Sequence, residues 1–451
     1  MPRTFIDLFA GIGGFHWALK ALEYECLLAV EKDKAASEVY ENNFPECAQR
    51  MEGDIRTITR KKPADENTIR TASEIRIHLR DKFGIERGGV GIICGGFPCQ
   101  PFSKSGDQKG DLDETRGTLF HDILQLAEAL EPQYLILENV RNLAGPKHER
   151  TLKTIIQSIS DLGYITDKTP IILSPHELNK KYGSPQVRER VFILAHRKGV
   201  KGACYPATIR EEVGRLKQGR KRSWKARSIL DDGKSKTRPY NIGKQEEAWL
   251  EAWEHFLKIT QEYRLPGFPI WTEVFQQNPP KLAGAPQWKQ DFLKKNHAFY
   301  LQITQRKSEK QQIDKWLKLI RTFPASRRKF EWQANSAFDG ESKDGESKRT
   351  LKKLLIQLRP SGIRVKPATH YPALVAITQT TIVGPKVRKP SHQGPFRYIS
   401  PKEAAKLQGM HKIKFGDQSD AKSYKQLGNA VNVGVIRYLA ERLTGRKPCG
   451  K

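Results

Sequence analysis

The first 200 residues alternate between short apolar segments typical of buried strands and longer segments with helical spacing. The strand-like segments are RTFIDLFA, ECLLAVEKD, GVGIICGG, YLILENV and RVFILAHR. Between them, FHWALKAL, TLFHDILQLAEAL and TLKTIIQSISDL place apolar residues three or four positions apart, as on one face of a helix. Because strands that alternate with helices form parallel sheets covered on both faces, this part predicts a doubly wound α/β domain.

The net charge of +29 lies entirely in the second half of the chain. Residues 1–200 contain 28 basic and 28 acidic side chains, whereas residues 201–451 contain 51 and 22. A neutral part followed by a strongly basic part predicts one domain that carries chemistry and another that holds a polyanion. A surface needed only for solubility would mix the two signs more evenly, so we expect nucleic acid as the partner.

Regular patterning weakens after Val200 and returns near Ser400, where the chain ends in further amphipathic helices. We therefore expect a catalytic domain at 1–200, a smaller basic insert at 201–390, and C-terminal helices at 391–451 that complete the catalytic domain. No apolar run approaches the 18 residues of a membrane span, and the N-terminal residues lack the pattern of a secretory signal. These features favour a cytoplasmic protein without membrane contact.

The positions of the cysteines favour a reactive thiol over structural disulfides or a metal site. The six cysteines are scattered and form no CxxC pair, so the sequence predicts neither a metal site nor a disulfide framework. Cys99 is unusual because it stands between two prolines in GGFPCQPFS, directly after a strand-like run. This places it on a rigid turn at the carboxyl end of a strand, where α/β sheets bind ligands. Taken alone, a single cysteine in this position is more often a small buried residue that packs a turn.

A second group of residues predicts a nucleoside site. DLFAGIGG is a glycine-rich turn between a strand and a helix, which lets the backbone approach a ligand closely. Glu31 and Asp54 follow the next two strands, where carboxylates can accept hydrogen bonds from ribose hydroxyls. Dinucleotide oxidoreductases use similar turns, so the motif alone does not decide the ligand. The chain has no P-loop lysine motif, which argues against nucleotide hydrolysis.

Six motifs, in order, resemble those of the DNA cytosine-5 methyltransferases of bacterial restriction–modification systems. They are FIDLFAGIGGF, GGFPCQPFS, RGTLF, LENV, QVRERVFILA and QLGNAVNV, and the resemblance covers roughly 1–200 and 390–445. It implies a Rossmann-like domain that uses S-adenosylmethionine, interrupted by a smaller, basic target-recognition domain at 201–390. It also implies methyl transfer to carbon 5 of a cytosine in a specific duplex DNA sequence.

The resemblance assigns roles to residues at matching positions. Cys99 is expected to be the nucleophile that adds to carbon 6 of the base, and Glu138 to be the acid held near ring nitrogen 3. Arg190 matches the arginine that binds the cytosine carbonyl, with Arg188 and Gln186 in support. The expected contacts of the methyl donor are Phe9, Gly11, Gly13, Glu31, Asp54, Ile55, Pro98, Leu119 and Asn429. One departure is Lys32, which stands where many relatives have an aromatic residue.

The target base must leave the duplex, because a thiol cannot reach carbon 6 inside the base stack. The polar, glycine-containing segment from Ser103 to Gly117 resembles the loop that closes over the extruded base, and Ser103 and Lys104 are expected to reach phosphates. Lys221 and Arg222, beside Trp224, are expected to contact DNA as well. The resemblance implies a monomer that works alongside a restriction endonuclease without a stable complex.

Three alternatives remain from the sequence alone. A dinucleotide oxidoreductase would share the glycine turn but would not need the combination of Cys99, Glu138 and Arg190. An RNA cytosine-5 methyltransferase of the same family would usually have a shorter insert and a different turn sequence. A non-catalytic DNA-binding relative would not need to keep these three residues. The target sequence itself cannot be derived from the chain.

Overall fold

The chain forms two compact units. The structure, a computed structural model, describes residues 2–65, 67–98, 118–219, 223–231, 240–278, 284–338, 349–376, 381–388 and 395–447. Unit 1 comprises Met1–Trp224, Pro372–Thr378 and Ala404–Lys451, and unit 2 comprises Lys225–Tyr371 and Gln379–Glu403. Within the described residues, no helix is long and apolar enough to cross a membrane.

Unit 1 is built on an eight-stranded sheet in the order β3-β2-β1-β4-β5-β9-β6, with β7 also paired to β9. The strands are β1 (Thr4–Leu8), β2 (Glu25–Val30), β3 (Met51–Glu52), β4 (Ile92–Gly96), β5 (Tyr134–Val140), β6 (Tyr164–Thr166), β7 (Ile171–Leu173) and β9 (Arg190–Arg197). Strands β1 to β5 run parallel to one another. Strand β9 is antiparallel to its three neighbours, β5, β6 and β7. A two-residue strand, β8 (Gln186–Val187), lies outside this sheet.

Helices cover both faces of the sheet in unit 1. They are α1 (Gly14–Lys20), α2 (Lys34–Asn43), α3 (Ile55–Thr59), α4 (Ala72–Phe83), α5 (Leu119–Leu130), α6 (Glu149–Asp161), α7 (Pro206–Gln218), α11 (Pro401–Leu407), α12 (Asp420–Asn429) and α13 (Val433–Leu443). In β5, Tyr134 and Ile136 pack into one core, and Leu135 and Leu137 pack into the other. This alternation explains why the strand is apolar at successive positions. The predicted doubly wound α/β class is confirmed.

The strand order creates one reversal point in the sheet. From β1 the chain adds β2 and β3 on one side, and it then crosses to add β4 and β5 on the other. The loops that leave β1 and β4 therefore diverge, and they open a crevice at the carboxyl ends of these two strands. The glycine turn follows β1, and the residues Phe97 and Pro98 follow β4. The two motifs that the sequence singled out thus meet at one edge of the sheet.

Unit 2 has its own sheet and its own core. The sheet has the order β10-β11-β13-β12-β15-β16. Its elements are α8 (Lys244–Ile259), β10 (Ile270–Trp271), α9 (Gln287–Ile303), α10 (Lys307–Ile320), β11 (Lys329–Trp332), β12 (Leu354–Arg359), β13 (Gly362–Pro367), β15 (Ile382–Val383) and β16 (Arg397–Tyr398), and β14 (Tyr371–Pro372) leads out of the unit. Trp253 stacks on Phe330 with ring centroids 4.4 Å apart and meets Trp316 edge to face. Aromatic packing of this kind supplies a large buried area for a unit of this size.

The insert begins later in the structure than residue 201, where the sequence placed it. Helix α7 packs on unit 1, since Ile209 and Val213 belong to a core of that unit. Glu212 of the same helix accepts hydrogen bonds from Tyr438 and Arg442 of α13 at 2.7 and 3.0 Å. The basic residues after position 201 led the sequence analysis to place α7 in the insert. The apolar face of α7 packs instead in the core of unit 1.

Candidate active site

The carboxyl ends of β1 and β4 border a cavity of about 390 Å³. Its walls come from the glycine turn, the ends of β2, β4 and β5, the residues Arg188 and Arg190, and the chain at the end of α12. Glu31 and Glu138 both line this cavity, and so does Asp33. The cavity therefore combines backbone-rich walls with three carboxylates and two guanidinium groups.

Three residues of the glycine turn have positive φ angles. Phe9, Gly11 and Gly13 have φ of +55°, +55° and +85°. A Cβ atom on Gly13 would lie 2.4 Å from the ring of Phe44, so glycine is required there for packing as well. The N–H of Gly11 donates to Oε2 of Glu31 at 2.8 Å. This bond joins the turn to the end of β2 and holds the carboxylate at the cavity.

A second cavity of about 360 Å³ shares Phe9 and Glu31 with the first. Asp54 lines it, and its carboxylate accepts from Nε of Arg56 at 2.9 Å and lies 3.5 Å from Nζ of Lys32. The hydrogen bond from Arg56 is the main cause that lowers the pKa of Asp54 to about 2. Two cavities that share a wall suit an elongated ligand, with Glu31 at its middle.

Glu138 is a buried carboxylic acid that forms an ion pair with Arg190. Its Oε1 lies 3.0 Å from Nε of Arg190, and the residue is 8% exposed. Burial raises the pKa of Glu138, while the charges of Arg190 and Arg188 act in the opposite direction. A raised pKa keeps a larger protonated fraction near neutral pH than a free glutamate has. The group can therefore deliver a proton or a strong hydrogen bond inside the cavity.

The sequence matches a known family along almost its whole length. The family model for the C-5 cytosine-specific DNA methylases matches residues 3–445. The chain belongs to the C-5 cytosine-specific DNA methylase family. The resemblance stated from the motifs is thereby confirmed, and so is the reaction class: this methylase transfers a methyl group to carbon 5 of cytosine in DNA.

Two curated relatives match this methylase over both units, and a third matches about half of it. Type II methyltransferase M.AluI of Cellulosimicrobium cellulans is 35% identical, over 97% of this chain and 91% of that protein. Type II methyltransferase M.BanI of Aneurinibacillus aneurinilyticus is 29% identical, over 98% and 96% of the two chains. Type II methyltransferase M.HpaII of Haemophilus parainfluenzae is 37% identical, but over only 46% and 53%.

The structure gathers most of the expected site residues of the methylase at the two cavities. The larger cavity is lined by Phe9, Gly11, Glu31, Pro98, Glu138, Arg188, Arg190 and Asn429, and the smaller one by Phe9, Glu31, Asp54, Ile55 and Leu119. Gly13 and Gln186 line neither cavity; Gly13 precedes α1, and Gln186 is fully buried. Cys99, Ser103, Lys104, Lys221 and Arg222 lie outside the described residues.

Asn139 is a positioning residue that the sequence analysis missed. Its Nδ2 donates to the carbonyl of Phe97 at 2.9 Å, and its Oδ1 accepts from the N–H of Val140 at 2.8 Å. The side chain thus fixes the backbone that leads into Pro98 and Cys99. The signal was present in the sequence, since Asn139 directly follows Glu138 in LENV.

Arg188, which is expected to support Arg190, lines the larger cavity and directs its guanidinium hydrogen bonds to backbone carbonyls in the described chain. Its guanidinium donates to Leu374 at 2.6 Å, to Gly428 at 2.8 Å and to Ala430 at 3.0 Å. The residue is 3% exposed, and burial lowers its pKa to about 9. One side chain therefore joins three chain segments that are distant in sequence.

Replacing Arg188 with alanine should lower the free energy of unfolding by about 3 kcal/mol or more, because three buried carbonyls would lose their donor. Urea denaturation followed by circular dichroism measures this change. Arg80→Ala is the control, since Arg80 is exposed and pairs with its neighbour Asp81, and it should change stability by less than about 0.5 kcal/mol. Equal stability of the two variants would contradict the structural role of Arg188.

Proposed function

We propose that this methylase acts on a cytosine extruded from duplex DNA, through a covalent bond between Cys99 and carbon 6 of the base. The observation that carries the proposal is the contact of the buried Glu138 with the partly buried Arg190 in a cavity whose wall includes Pro98. Pro98 is the last described residue before Cys99, which follows it directly in the sequence. An acid, a cation and a nucleophile would then surround one ring.

The covalent step makes carbon 5 of the cytosine more nucleophilic. Carbon 5 of cytosine is too weak a nucleophile to take a methyl group directly. Addition of the Cys99 thiolate to carbon 6 moves the ring electrons toward carbon 5, which can then form the new bond. Loss of the proton from carbon 5 returns the electron pair to the ring and expels the thiolate. The enzyme is thereby regenerated, and no external oxidant or reductant is needed.

Glu138 and Arg190 assist the addition by stabilising the electron-rich ring. We assign Glu138 to ring nitrogen 3, as a proton donor, and Arg190 to the carbonyl at position 2. The raised pKa of Glu138 supports the first assignment, because the protonated form must be present when the ring accepts electrons. The 3.0 Å contact between the two side chains supports the assignment of both to one edge of the ring.

The two joined cavities fit S-adenosylmethionine. The adenosine half would lie in the smaller cavity with Asp54 and Leu119, and Glu31 would accept from the ribose hydroxyls. The amino acid half would extend past Gly11 and Asn429 into the larger cavity. When bound, this cofactor supplies a methyl group on a positively charged sulfur. Lys32, which lines the smaller cavity, would replace the aromatic ring that many relatives use beside the adenine.

We assign recognition of the DNA sequence to unit 2, and most of the phosphate contacts to the segment at 201–390. Between Glu346 and Glu403 the chain has twelve basic residues and no acidic one. Basic surfaces hold the DNA backbone and place other side chains at base edges. The names of the relatives M.AluI and M.BanI, type II methyltransferases, favour a role in protecting DNA from a restriction endonuclease. We further propose that the methylase works as a monomer without a stable complex with that enzyme.

Transfer of tritium from methyl-labelled S-adenosylmethionine to DNA tests the cofactor and the reaction together. Bisulfite sequencing of DNA from cells that express the methylase then maps the modified cytosine. We expect one short sequence to be modified at high occupancy. Labelled RNA without labelled DNA would contradict the proposal and favour the RNA-modifying alternative.

Binding to DNA should weaken steeply as salt rises. The logarithm of the binding constant should fall with the logarithm of the salt concentration by a slope of about −0.9 for each phosphate neutralised. Replacing Lys221 and Arg222 with glutamine should weaken binding to all sequences alike and make the slope smaller by about 2. Fluorescence anisotropy at several salt concentrations measures both. An unchanged slope would remove these two residues from the phosphate contacts.

Exchange of unit 2 should transfer sequence choice. A chimaera that carries residues 225–371 and 379–403 from a relative with another target should methylate the target of that relative. The residues between these segments, 372–378, stay because they belong to unit 1. Bisulfite sequencing reads the outcome. A folded, active chimaera that still modifies the original sequence would contradict the assignment of recognition to unit 2.

A further inference from the structure

Two thiols and an imidazole come together inside unit 1. His16 lies on α1, Cys26 lies on β2, and Cys47 lies in the short 3-10 helix Pro45–Arg50. One ring nitrogen of His16 and the two sulfur atoms all lie within 4.8 Å of one another. The three residues are 2, 3 and 1% exposed, and none of them lines either cavity. We refer to these three side chains as the Cys–His cluster.

The Cys–His cluster has polar contacts, which cysteines buried only as small apolar residues would not need. Nδ1 of His16 lies 2.7 Å from the hydroxyl oxygen of Tyr40, and the same oxygen lies 3.7 Å from Sγ of Cys26. The thiol of Cys26 in turn forms a hydrogen bond with Cys47. Tyr40 is fully buried as well. A fourth polar atom therefore stands beside three atoms that can bind a metal ion.

The spacing of these atoms suits a tetrahedral zinc ion. Zinc binds thiolate sulfur at about 2.3 Å and imidazole nitrogen at about 2.0 Å. Two ligand atoms on such an ion are therefore about 3.5 to 3.8 Å apart. The three atoms are at most 4.8 Å apart in the structure. Each would need to move by less than about 1 Å to reach zinc distances, which small side-chain rotations supply.

We propose that the Cys–His cluster is a structural zinc site, with Cys26, Cys47 and His16 as ligands and the hydroxyl of Tyr40 beside the fourth position. Two sulfur atoms and an imidazole suit zinc, whereas magnesium and calcium prefer oxygen ligands. Each thiol releases its proton to solvent when the ion binds. The two resulting thiolates balance the double charge of the ion, so the buried site carries no net charge. None of these residues takes part in the proposed reaction, so the inference does not depend on it.

A zinc ion in this cluster would join three segments around the glycine turn. His16 is the third residue of α1, and Gly13 of the glycine turn is the N-cap of this helix. The ring of Phe44 stacks on His16 with centroids 3.6 Å apart, and it would also contact a Cβ atom on Gly13. The ion would therefore hold β2 and the Pro45–Arg50 segment against the helix that follows the turn. We expect zinc to raise the melting temperature of the protein by about 5 °C.

Metal binding to the full-length protein, kept reduced by a phosphine, tests the site. Cobalt(II) is the probe, because on thiolates in a tetrahedral site it gives visible bands and charge-transfer bands that zinc lacks. We expect these bands at one cobalt per chain and their loss when zinc is added. Zinc should also raise the melting temperature of chelator-treated protein. Reduced, folded wild-type protein without charge-transfer bands in excess cobalt would overturn the proposal.

Two variants test the ligands and the neighbouring hydroxyl separately. Cys47→Ser removes a sulfur ligand and should weaken cobalt binding about 100-fold or more. Tyr40→Phe keeps the buried ring, so it should fold even if Cys47→Ser does not, and it should weaken binding about tenfold. Tyr24→Phe is its control, because Tyr24 is buried in the same core but lies outside the cluster. This variant should bind cobalt as the wild type does.

Cys99→Ala separates the proposed site from the reactive thiol. It removes a cysteine that is not part of the Cys–His cluster, so the cobalt bands and the affinity should stay unchanged. Bands that disappear in Cys99→Ala would assign the metal to that thiol and would overturn the proposal. An affinity that is unchanged in both Cys47→Ser and Tyr40→Phe would overturn it as well.

Discussion

Replacing Cys99 with alanine should reduce methyl transfer about 10⁴-fold or more, while the fold and the binding of S-adenosylmethionine stay intact. The reason is that carbon 5 remains unreactive unless a nucleophile adds to carbon 6, which is the role we propose for Cys99. Cys99→Ser should behave in the same way, because a hydroxyl is far less ionised than a thiol at neutral pH. Tritium transfer to DNA measures the rate, and calorimetry measures cofactor binding.

Cys94→Ala is the matched control for this loss. Cys94 lies on β4, only five residues earlier, but it is fully buried, and its thiol contacts the carbonyl of Ile6 at 3.3 Å. Its removal should cost about 1 kcal/mol of stability and leave the reaction in place. Activity of Cys99→Ala close to that of wild type would make Cys99 a structural residue and would refute the covalent mechanism.

A duplex with 5-fluorocytosine at the target position should trap the covalent complex. Fluorine replaces the proton that must leave carbon 5, so the ring cannot expel the thiolate after methyl transfer. We expect a complex that survives denaturing electrophoresis with the wild-type protein and none with Cys99→Ala. A complex of equal yield in the alanine variant would assign the nucleophile to another side chain.

Replacing Glu138 with glutamine should slow methyl transfer about 10²- to 10⁴-fold and weaken DNA binding much less. Glutamine keeps the shape of the side chain but cannot give up a proton to the ring, and loss of a general acid typically has an effect of this size. Glu131→Gln is the control, because Glu131 lies just before β5 and pairs with Arg87 and Arg197 outside the cavities. Equal losses of binding and rate in Glu138→Gln would indicate a structural role for Glu138.

The same variant should reveal the pKa of Glu138. Burial raises this pKa, so the protonated, active form persists to higher pH than in a free glutamate and is lost as pH rises through the shifted value. Glutamine has no such transition. The ratio of the wild-type rate to the Glu138→Gln rate should therefore fall as pH rises. A ratio that increases with pH would show that the ionised carboxylate is the active form.

Local patterns were sufficient for the class of fold and for the family. The alternation of apolar strands with helices predicted the parallel sheet, because a strand buried on both faces must be apolar at successive positions. The order of motifs from FIDLFAGIGGF to QLGNAVNV identified the family, which the match over residues 3–445 confirms. The charge count indicated a basic insert, because the charge of a segment does not depend on how it folds.

The boundaries of the insert required the structure. Helix α7 carries several charges, and the partners of its buried residues Ile209 and Val213 become apparent only when α13 is folded beside them. The return of residues 372–378 to unit 1 has no local signal either. One contact made there is the hydrogen bond from Arg188 to the carbonyl of Leu374, 186 residues away in sequence.

Identity of the site residues came from the sequence, whereas their mutual placement came from the tertiary structure. The motifs LENV and QVRERVFILA indicated Glu138 and Arg190 as site residues. The 3.0 Å contact between their side chains exists because β5 and β9 pair in one register. In the same way, Cys26, Cys47 and His16 appear scattered in the chain, yet their sulfur and nitrogen atoms lie within 4.8 Å of one another in the core. Sequence determines which chemical groups are present and which segments are apolar. Distances between remote groups are decided by long-range packing, which no local window contains.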